Sequence, residues 1–226
     1  EKLQTLLQPN TKLVAITSAS NVTGEIPDLE KIREILPKNV LLLVDGAQGA
    51  GHIDLKMRGA GIDLLALAGH KGLLGMQGSG ALLFSDRVEL SPLLYGGTGS
   101  ESYSLDMPDF YPDALEAGTL SYPAVCSLLE GITYLDFRKR EVRSAMLELT
   151  TYLIEELEKM DRYSLYSKPN PCGIVALRHP LLESEYLADR LSNEFDIAVR
   201  GGLHCAPLMH KALGTIDGGL LRVSLS

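Results

Sequence analysis

No cluster of lysine or arginine stands out along the 226 residues, and the chain has a formal net charge of -8 and a pI near 5.1. That balance argues against a general affinity for nucleic acid or anionic membrane, both of which favour a concentrated basic face. Long apolar runs are missing too: Val40–Val44 and Leu64–Ala68 fall far short of the roughly 20 residues that cross a bilayer. Glu1 does not open a secretory signal. The expectation is therefore a soluble, cytosolic protein with neither nucleic acid nor membrane as a partner. Three cysteines, Cys126, Cys172 and Cys205, form no C-x-x-C pair, which suggests neither a disulfide framework nor a thiolate zinc site. No internal repeat or low-complexity tract is found.

What is present is a chain with 45% hydrophobic residues, enough to bury a substantial core. Lys12–Thr17 reads as a short strand, Pro27–Leu36 as a helix and Val40–Val44 as a continuous apolar strand. Leu64–Ala68 and Ala81–Ser85 add two strands around the glycine-rich GHKGLLGMQGSG. Strand, helix and strand in alternation predict an α/β sheet covered on both faces. Leu90–Ala117 reads as a long loop, and Ala124–Phe137 and Val142–Met160 as two helices. Beyond the KPNP break at Lys168–Pro171 the pattern predicts a strand at Gly173–Arg178, a helix at Ser184–Asn193, and strands at Ile197–Val199 and Leu220–Leu225. That order suggests a second, smaller α+β domain from near Tyr163, dividing the chain into residues 1–162 and 163–226.

Ligands of open α/β sheets gather outside the carboxyl ends of the strands, so Asn21, Asp45 and Lys71, each at or just past a strand, form a candidate site. A lysine in a polar loop is ordinarily a solvated charge. Lys71 follows an apolar strand and His70, in a loop whose backbone can approach a ligand closely. The stretch is neither a Walker A loop nor a dinucleotide fingerprint. Lysine does form Schiff bases with carbonyl cofactors, and desolvation favours the neutral amine this needs. Asp45 reads locally as a cap or turn former for the following GAQ; the alternative is a buried charge with a cationic partner. Cys126 and Cys172 read as small buried hydrophobes. Cys205, in VRGGLHCAPLMH between Arg200 and His204, reads as accessible, mobile and favoured as a thiolate by neighbouring cations. His204, Cys205 and His210 together give only a weak zinc signal.

The segments SNVTG, LVDGAQGAGH, AGHKGLLGMQGSGAL, LEAGT, IAVRGGLHCAPLM and LRVSLS resemble, in order and spacing, the class V aminotransferase superfamily and its cysteine desulfurase and selenocysteine lyase branch. The resemblance implies a pyridoxal-phosphate-dependent transferase of fold type I: a large domain with a mostly parallel seven-stranded sheet, a small C-terminal α/β domain, and a homodimer with active sites at the subunit interface. It implies pyridoxal 5'-phosphate covalently held by Lys71, with Asp45 on the pyridine nitrogen and Gln48 on the phenolic oxygen. His70 would help hold the phosphate, and Thr119 would reach the phosphate bound in the other subunit. Asn21 and Arg222 would clamp the substrate carboxylate, with Arg200 close by. Cys205 would take the sulfur of cysteine as a persulfide, releasing alanine, and a sulfur-acceptor protein would follow.

Two positions depart from the pattern: Ala68 stands where much of the family has serine, losing a phosphate hydrogen bond worth about 1–2 kcal/mol, and Ala114 stands in place of a common arginine. The family also carries well over a hundred residues ahead of the SNVTG region and a closing helix after LRVSLS. The expectation is a fragment of a longer protein that binds the cofactor poorly by itself. Alternative readings are a selenocysteine lyase, an aminotransferase or epimerase on the same scaffold, and a catalytically silent scaffold or sulfur-carrier partner.

Overall fold

The structure, a computed structural model, describes residues 2–225. A short helix, α1 (Lys2–Leu6), precedes β1 (Leu13–Thr17), α2 (Leu29–Ile35), β2 (Leu41–Asp45), β3 (Leu64–Ala68) and β4 (Gly80–Phe84). These four strands form one sheet in the order β1-β2-β3-β4, with β1, β2 and β3 parallel and β4 antiparallel to β3. The sheet is mostly parallel, as expected; the described residues supply four strands where the resemblance implies seven.

Burial along β2 alternates, with Leu42 and Val44 buried and Leu41 and Leu43 half-buried. Leu42 and Val44 are fully buried in a cluster with Leu36, Val40 and Leu65, against which Leu29 and Ile32 of α2 pack. Asp28 caps α2 by accepting the Lys31 N–H at 3.1 Å. Ala50, Leu73 and Leu135 form a second cluster with Leu128, and this cluster shares Leu55 and Leu67 with the first. Leu128 and Leu135 belong to α3 (Tyr122–Lys159), a single 38-residue helix.

The sequence pattern predicts two helices here, and the structure shows one. The apolar stripe breaks between Phe137 and Val142, but the residues in the break are good helix formers, and charged side chains there make helical contacts. Arg138 pairs with Glu141 at 3.3 Å and lies over the Tyr134 ring at 5.8 Å. Lys139 and Arg143 reach Asp54. Periodicity alone mistakes a solvated stretch of helix for its end.

A second, antiparallel sheet is built from β5 (Ser164–Leu165), β6 (Ile174–Arg178) and β7 (Leu221–Ser224), with α4 (Ser184–Phe195) and α5 (Pro207–Leu213) beside it. The strand expected at Ile197–Val199 does not form. Asp196 adopts a left-handed conformation (φ 56°) as the C-cap of α4, and Ile197 N–H donates to Leu191 O, so the segment closes the helix instead of pairing. Just beyond it, Arg200 alone bridges to Arg222 among the described residues. Helix α5 falls in a stretch that the pattern leaves as loop. The SASNVTG segment packs into this second sheet: Ala19 with Cys172 and Ile174, and Val22 with Ala176 and Leu220.

Candidate active site

Parallel pairing brings the carboxyl ends of three strands level. Thr17 of β1 pairs with Asp45 of β2, and Asp45 with Ala66 of β3, so the residues that follow meet on one side of the sheet. A cleft of about 520 Å³ opens there, lined among others by Asn21, Asp45, Gln48, Lys71, Cys205 and Met209. The three strands and the turns that follow them contribute the first four of these side chains, and the segment around α5 contributes the last two.

Glycines let the loops come this close. A Cβ on Gly72 would lie 2.3 Å from Ala50 O, and one on Gly51 would lie 2.0 Å from Gly72 O. The turn after Asp45 and the loop bearing Lys71 are therefore in backbone contact, which no larger residue permits. From the other side, a Cβ on Gly131 of α3 would lie 2.1 Å from Leu73 O. The long helix thus buttresses the lysine loop. That loop closes on itself through Leu74 N–H to Lys71 O at 2.9 Å and Gly75 N–H to Gly69 O at 2.7 Å.

Asp45 is exposed and accepts the Ala47 N–H at 2.9 Å, the turn-forming role expected of it, and makes no ion pair among the described residues. The residue still lines the cleft. Lys71 is exposed as well, so the described residues do not supply the desolvation expected for it.

Cys205 is exposed, and Arg200 Nη2 lies 3.7 Å from its Sγ. One cation is thus beside the thiol, but His204 is not a second. Its ring is buried, 2% exposed, and its Nε2 donates to Leu220 O at 2.9 Å. Burial, and then the nearby Arg222 guanidinium, push its pKa down to about 4, leaving the ring neutral at pH 7. Asn21 Nδ2 donates to His204 O at 2.8 Å, and Arg222 Nη1 donates to Asn21 O at 2.9 Å. Burial and the neighbouring Arg200 pull the pKa of Arg222 below its usual value. Asn21, Arg222, Arg200, His204 and Cys205 therefore form one connected cluster.

Of the residues singled out by sequence, the cleft collects Asn21, Asp45, Gln48, Lys71 and Cys205, with Arg200 and Arg222 attached through Cys205 and Asn21. His70 and Thr119 are exposed and do not line the cleft. Cys172 is buried, 3% exposed, with its thiol pushed up to about 11 by desolvation, while Cys126 is only partly buried in α3. His204 and His210 sit 5.7 Å apart. Among the described residues no group of three His, Cys, Asp or Glu side chains is disposed to hold a metal ion. By sequence His204 reads as a cation beside the thiol; only the carbonyl of Leu220, sixteen residues away, reveals it as a buried anchor.

The family model described as aminotransferase class-V matches residues 1–226. A probable cysteine desulfurase of Methanothermobacter thermautotrophicus is 34% identical over 99% of this chain and 58% of its own length. The cysteine desulfurase CsdA of Escherichia coli is 30% identical over 99% of this chain and 56% of its own length. The crystal structure of E. coli CsdA superposes with a TM-score of 0.89 at 29% identity, covering 99% of this chain and 56% of that one. The apo cysteine desulfurase of Thermococcus onnurineus gives 0.85 at 31% identity, covering 95% and 55%. The chain thus spans little more than half the length of these relatives. With a mostly parallel α/β sheet, a level row of polar residues at its carboxyl edge and a family match along its whole length, this chain belongs to the class V aminotransferase family.

Proposed function

We propose that this chain is the larger part of a pyridoxal-phosphate-dependent cysteine desulfurase, which converts L-cysteine to L-alanine and holds the sulfur as a persulfide on Cys205. The observation that carries the reading is the convergence of a primary amine (Lys71), a carboxylate (Asp45), a carboxamide (Gln48) and a thiol (Cys205) on one cleft. The likeness to proteins named cysteine desulfurase supports it.

The cleft residues fit the cofactor. Lys71 offers the amine that an aldehyde requires, Asp45 the anion for a pyridinium nitrogen, and Gln48 a hydrogen-bond donor for the phenolic oxygen. His70 would hold the phosphate, and Thr119 the phosphate of a second subunit. When bound, pyridoxal phosphate supplies a ring that withdraws electrons from the substrate's α-carbon. Lys71 would hold the cofactor's aldehyde carbon and would be the amine placed to move the α-proton. Arg222 and Asn21 hold the substrate carboxylate, with Arg200 beside them. Cys205 as thiolate forms an S–S bond while the substrate's C–S bond breaks. The electron pair of that bond stays with the carbon, which gains a proton and becomes the methyl group of alanine.

Residues 1–162 then belong to a large cofactor domain and 163–226 to a small domain that carries the thiol. A homodimer suits the exposed Leu93, Tyr95, Tyr103 and Leu105 that precede Thr119. Among the described residues no helix is long and apolar enough to cross a membrane; the cytoplasm is the proposed compartment, and a sulfur-acceptor protein the proposed partner.

The test is to supply the full-length protein with pyridoxal phosphate and cysteine and to measure alanine and reducible sulfur together. Both products vanish in Cys205→Ala, while visible cofactor absorbance persists there and is lost in Lys71→Ala. Alanine release that survives Cys205→Ala would overturn the assignment.

A further inference from the structure

Cys205 and the residue before it share a conformation that ordinary side chains avoid. His204 has φ 52° and Cys205 φ 60°. For residues with a Cβ, each left-handed position costs roughly 1–2 kcal/mol, and such strain persists only where the surroundings over-determine it. The thiol is exposed, so its own side chain supplies little of that restraint. Part of it is local, because Ala206 N–H donates to Leu203 O at 2.9 Å and closes a turn with His204 and Cys205 at its centre; the side chain placed to add to it is that of His204.

Two anchors act on that residue. The imidazole is 2% exposed and donates from Nε2 to Leu220 O at 2.9 Å, next to the start of β7. A carbonyl can only accept, so Nε2 carries a proton and is the donor. The main-chain carbonyl of His204 accepts from Asn21 Nδ2 at 2.8 Å, tying it to the segment that follows β1. Leu220 N–H also donates to Gly202 O at 3.1 Å, and Arg200 and Arg222 exchange backbone hydrogen bonds at 3.1 and 2.8 Å, so the loop is pinned along one strand edge. Without the ring anchor, residues 204 and 205 are held at positive φ only by the Leu203–Ala206 turn and the Asn21 bond, and the strain has less to oppose it.

We propose that His204 is a positioning residue: its buried ring, tied to Leu220, helps lock the 204–205 backbone in the left-handed conformation that presents Cys205 to the cleft. The proposal deepens the functional reading and rests on Cys205 as the sulfur acceptor. It does not give His204 a proton to transfer. The ring's distance from solvent and its bond to a main-chain carbonyl suit it to holding, not to acid–base exchange.

The experiment compares three full-length variants. His204→Gln keeps an N–H donor at about the length of Nε2; His204→Leu keeps volume without a donor; His204→Asn keeps a donor that is too short to reach. The expected result is that the glutamine variant stays within about threefold of the parent in kcat, whereas the leucine and asparagine variants lose at least about tenfold in kcat with KM for cysteine within about twofold, because the thiol acts after the substrate has bound. Iodoacetamide labelling of Cys205, followed by peptide mass spectrometry without substrate, slows at least about threefold in the same two variants and not in the glutamine variant, since access and thiolate character set the rate. If Leu destabilises the fold, the Gln–Asn pair carries the comparison. Equal kcat and equal labelling across all three would overturn the positioning role, as would a loss in which kcat, KM and melting temperature fall together. If labelling follows the expected order but no persulfide forms on Cys205 in the parent, positioning stands and the desulfurase reading fails. If persulfide forms at the parent's rate in all three variants, the desulfurase reading stands and positioning by His204 fails.

Discussion

Asp45 and Asp63 stand at opposite ends of the same parallel strands, and their surroundings could hardly differ more. Asp63, just ahead of β3, is 2% exposed; it accepts the Leu42 N–H at 2.8 Å and the Arg87 guanidinium at 2.8 Å, with Arg33 at 3.6 Å. Asp45, at the carboxyl end of β2, is exposed and its side chain bonds only to the N–H two residues on. One carboxylate is consumed by the fold; the other is left with acceptor capacity, on a residue that lines a cleft. The amino edge of the sheet is where this molecule satisfies its charges, and the carboxyl edge is where it keeps them available.

The sharpest way to break the comparison is at the cleft. If the proposed desulfurase reading holds, Lys71→Ala or Cys205→Ala lowers turnover at least about 1000-fold, equivalent to roughly 4 kcal/mol of barrier, while urea midpoints move little because both side chains are exposed. The opposite pattern is expected at the other edge. Asp63→Ala removes the carboxylate from Arg87 and Arg33 and leaves Leu42 N–H unpaired, lowering unfolding free energy by about 3 kcal/mol, with turnover per folded molecule unchanged. A urea titration alongside an active-site titration separates the two.

Gly131→Ala tests the support behind the lysine loop. Alanine gains about 1 kcal/mol in helix propensity, but its Cβ would lie 2.1 Å from the carbonyl oxygen of Leu73. Backbone cannot yield cheaply, so overpacking dominates: the variant loses about 2 kcal/mol net and retains cofactor less well, read from melting curves and absorbance.

A smaller effect comes from acid. His204 has a folded pKa of about 4, below the usual histidine value. The unfolded chain therefore binds this proton first as the pH falls, and stability is lost progressively from about pH 6.5 down to about 4. The part attributable to His204 is measured as the difference in pH slope between the parent and His204→Gln. Smallest of all, Asp45→Asn changes stability by under about 0.5 kcal/mol, since the amide oxygen can still accept the Ala47 N–H; its effect is on cofactor retention, measured by dialysis.

The candidate site is legible in the sequence to the extent that it is local. Asn21, Asp45 and Lys71 each follow an apolar run, and parallel strands place such residues side by side. Cys172 is readable as a buried thiol because it borders an apolar strand. Three things are not legible. Where the apolar stripe of α3 breaks, the helix is met by Asp54, which receives Lys139 and Arg143 from far along the chain. The failure of Ile197–Val199 to pair depends on how α4 is capped. The neutrality of His204 depends on burial beside Arg222, which no local pattern announces.

By itself the sequence determined the α/β alternation, the strand ends that carry polar residues and the glycines at their close approaches, because hydrophobic period and backbone sterics act over a few residues. Only the tertiary structure decided that Cys205 meets Lys71 across one cleft, that Arg200 and not His204 is the cation beside the thiol, and that Asp63 belongs to the fold. Those outcomes are set by desolvation and by hydrogen bonds between segments up to about two hundred residues apart, as between Arg222 and Asn21.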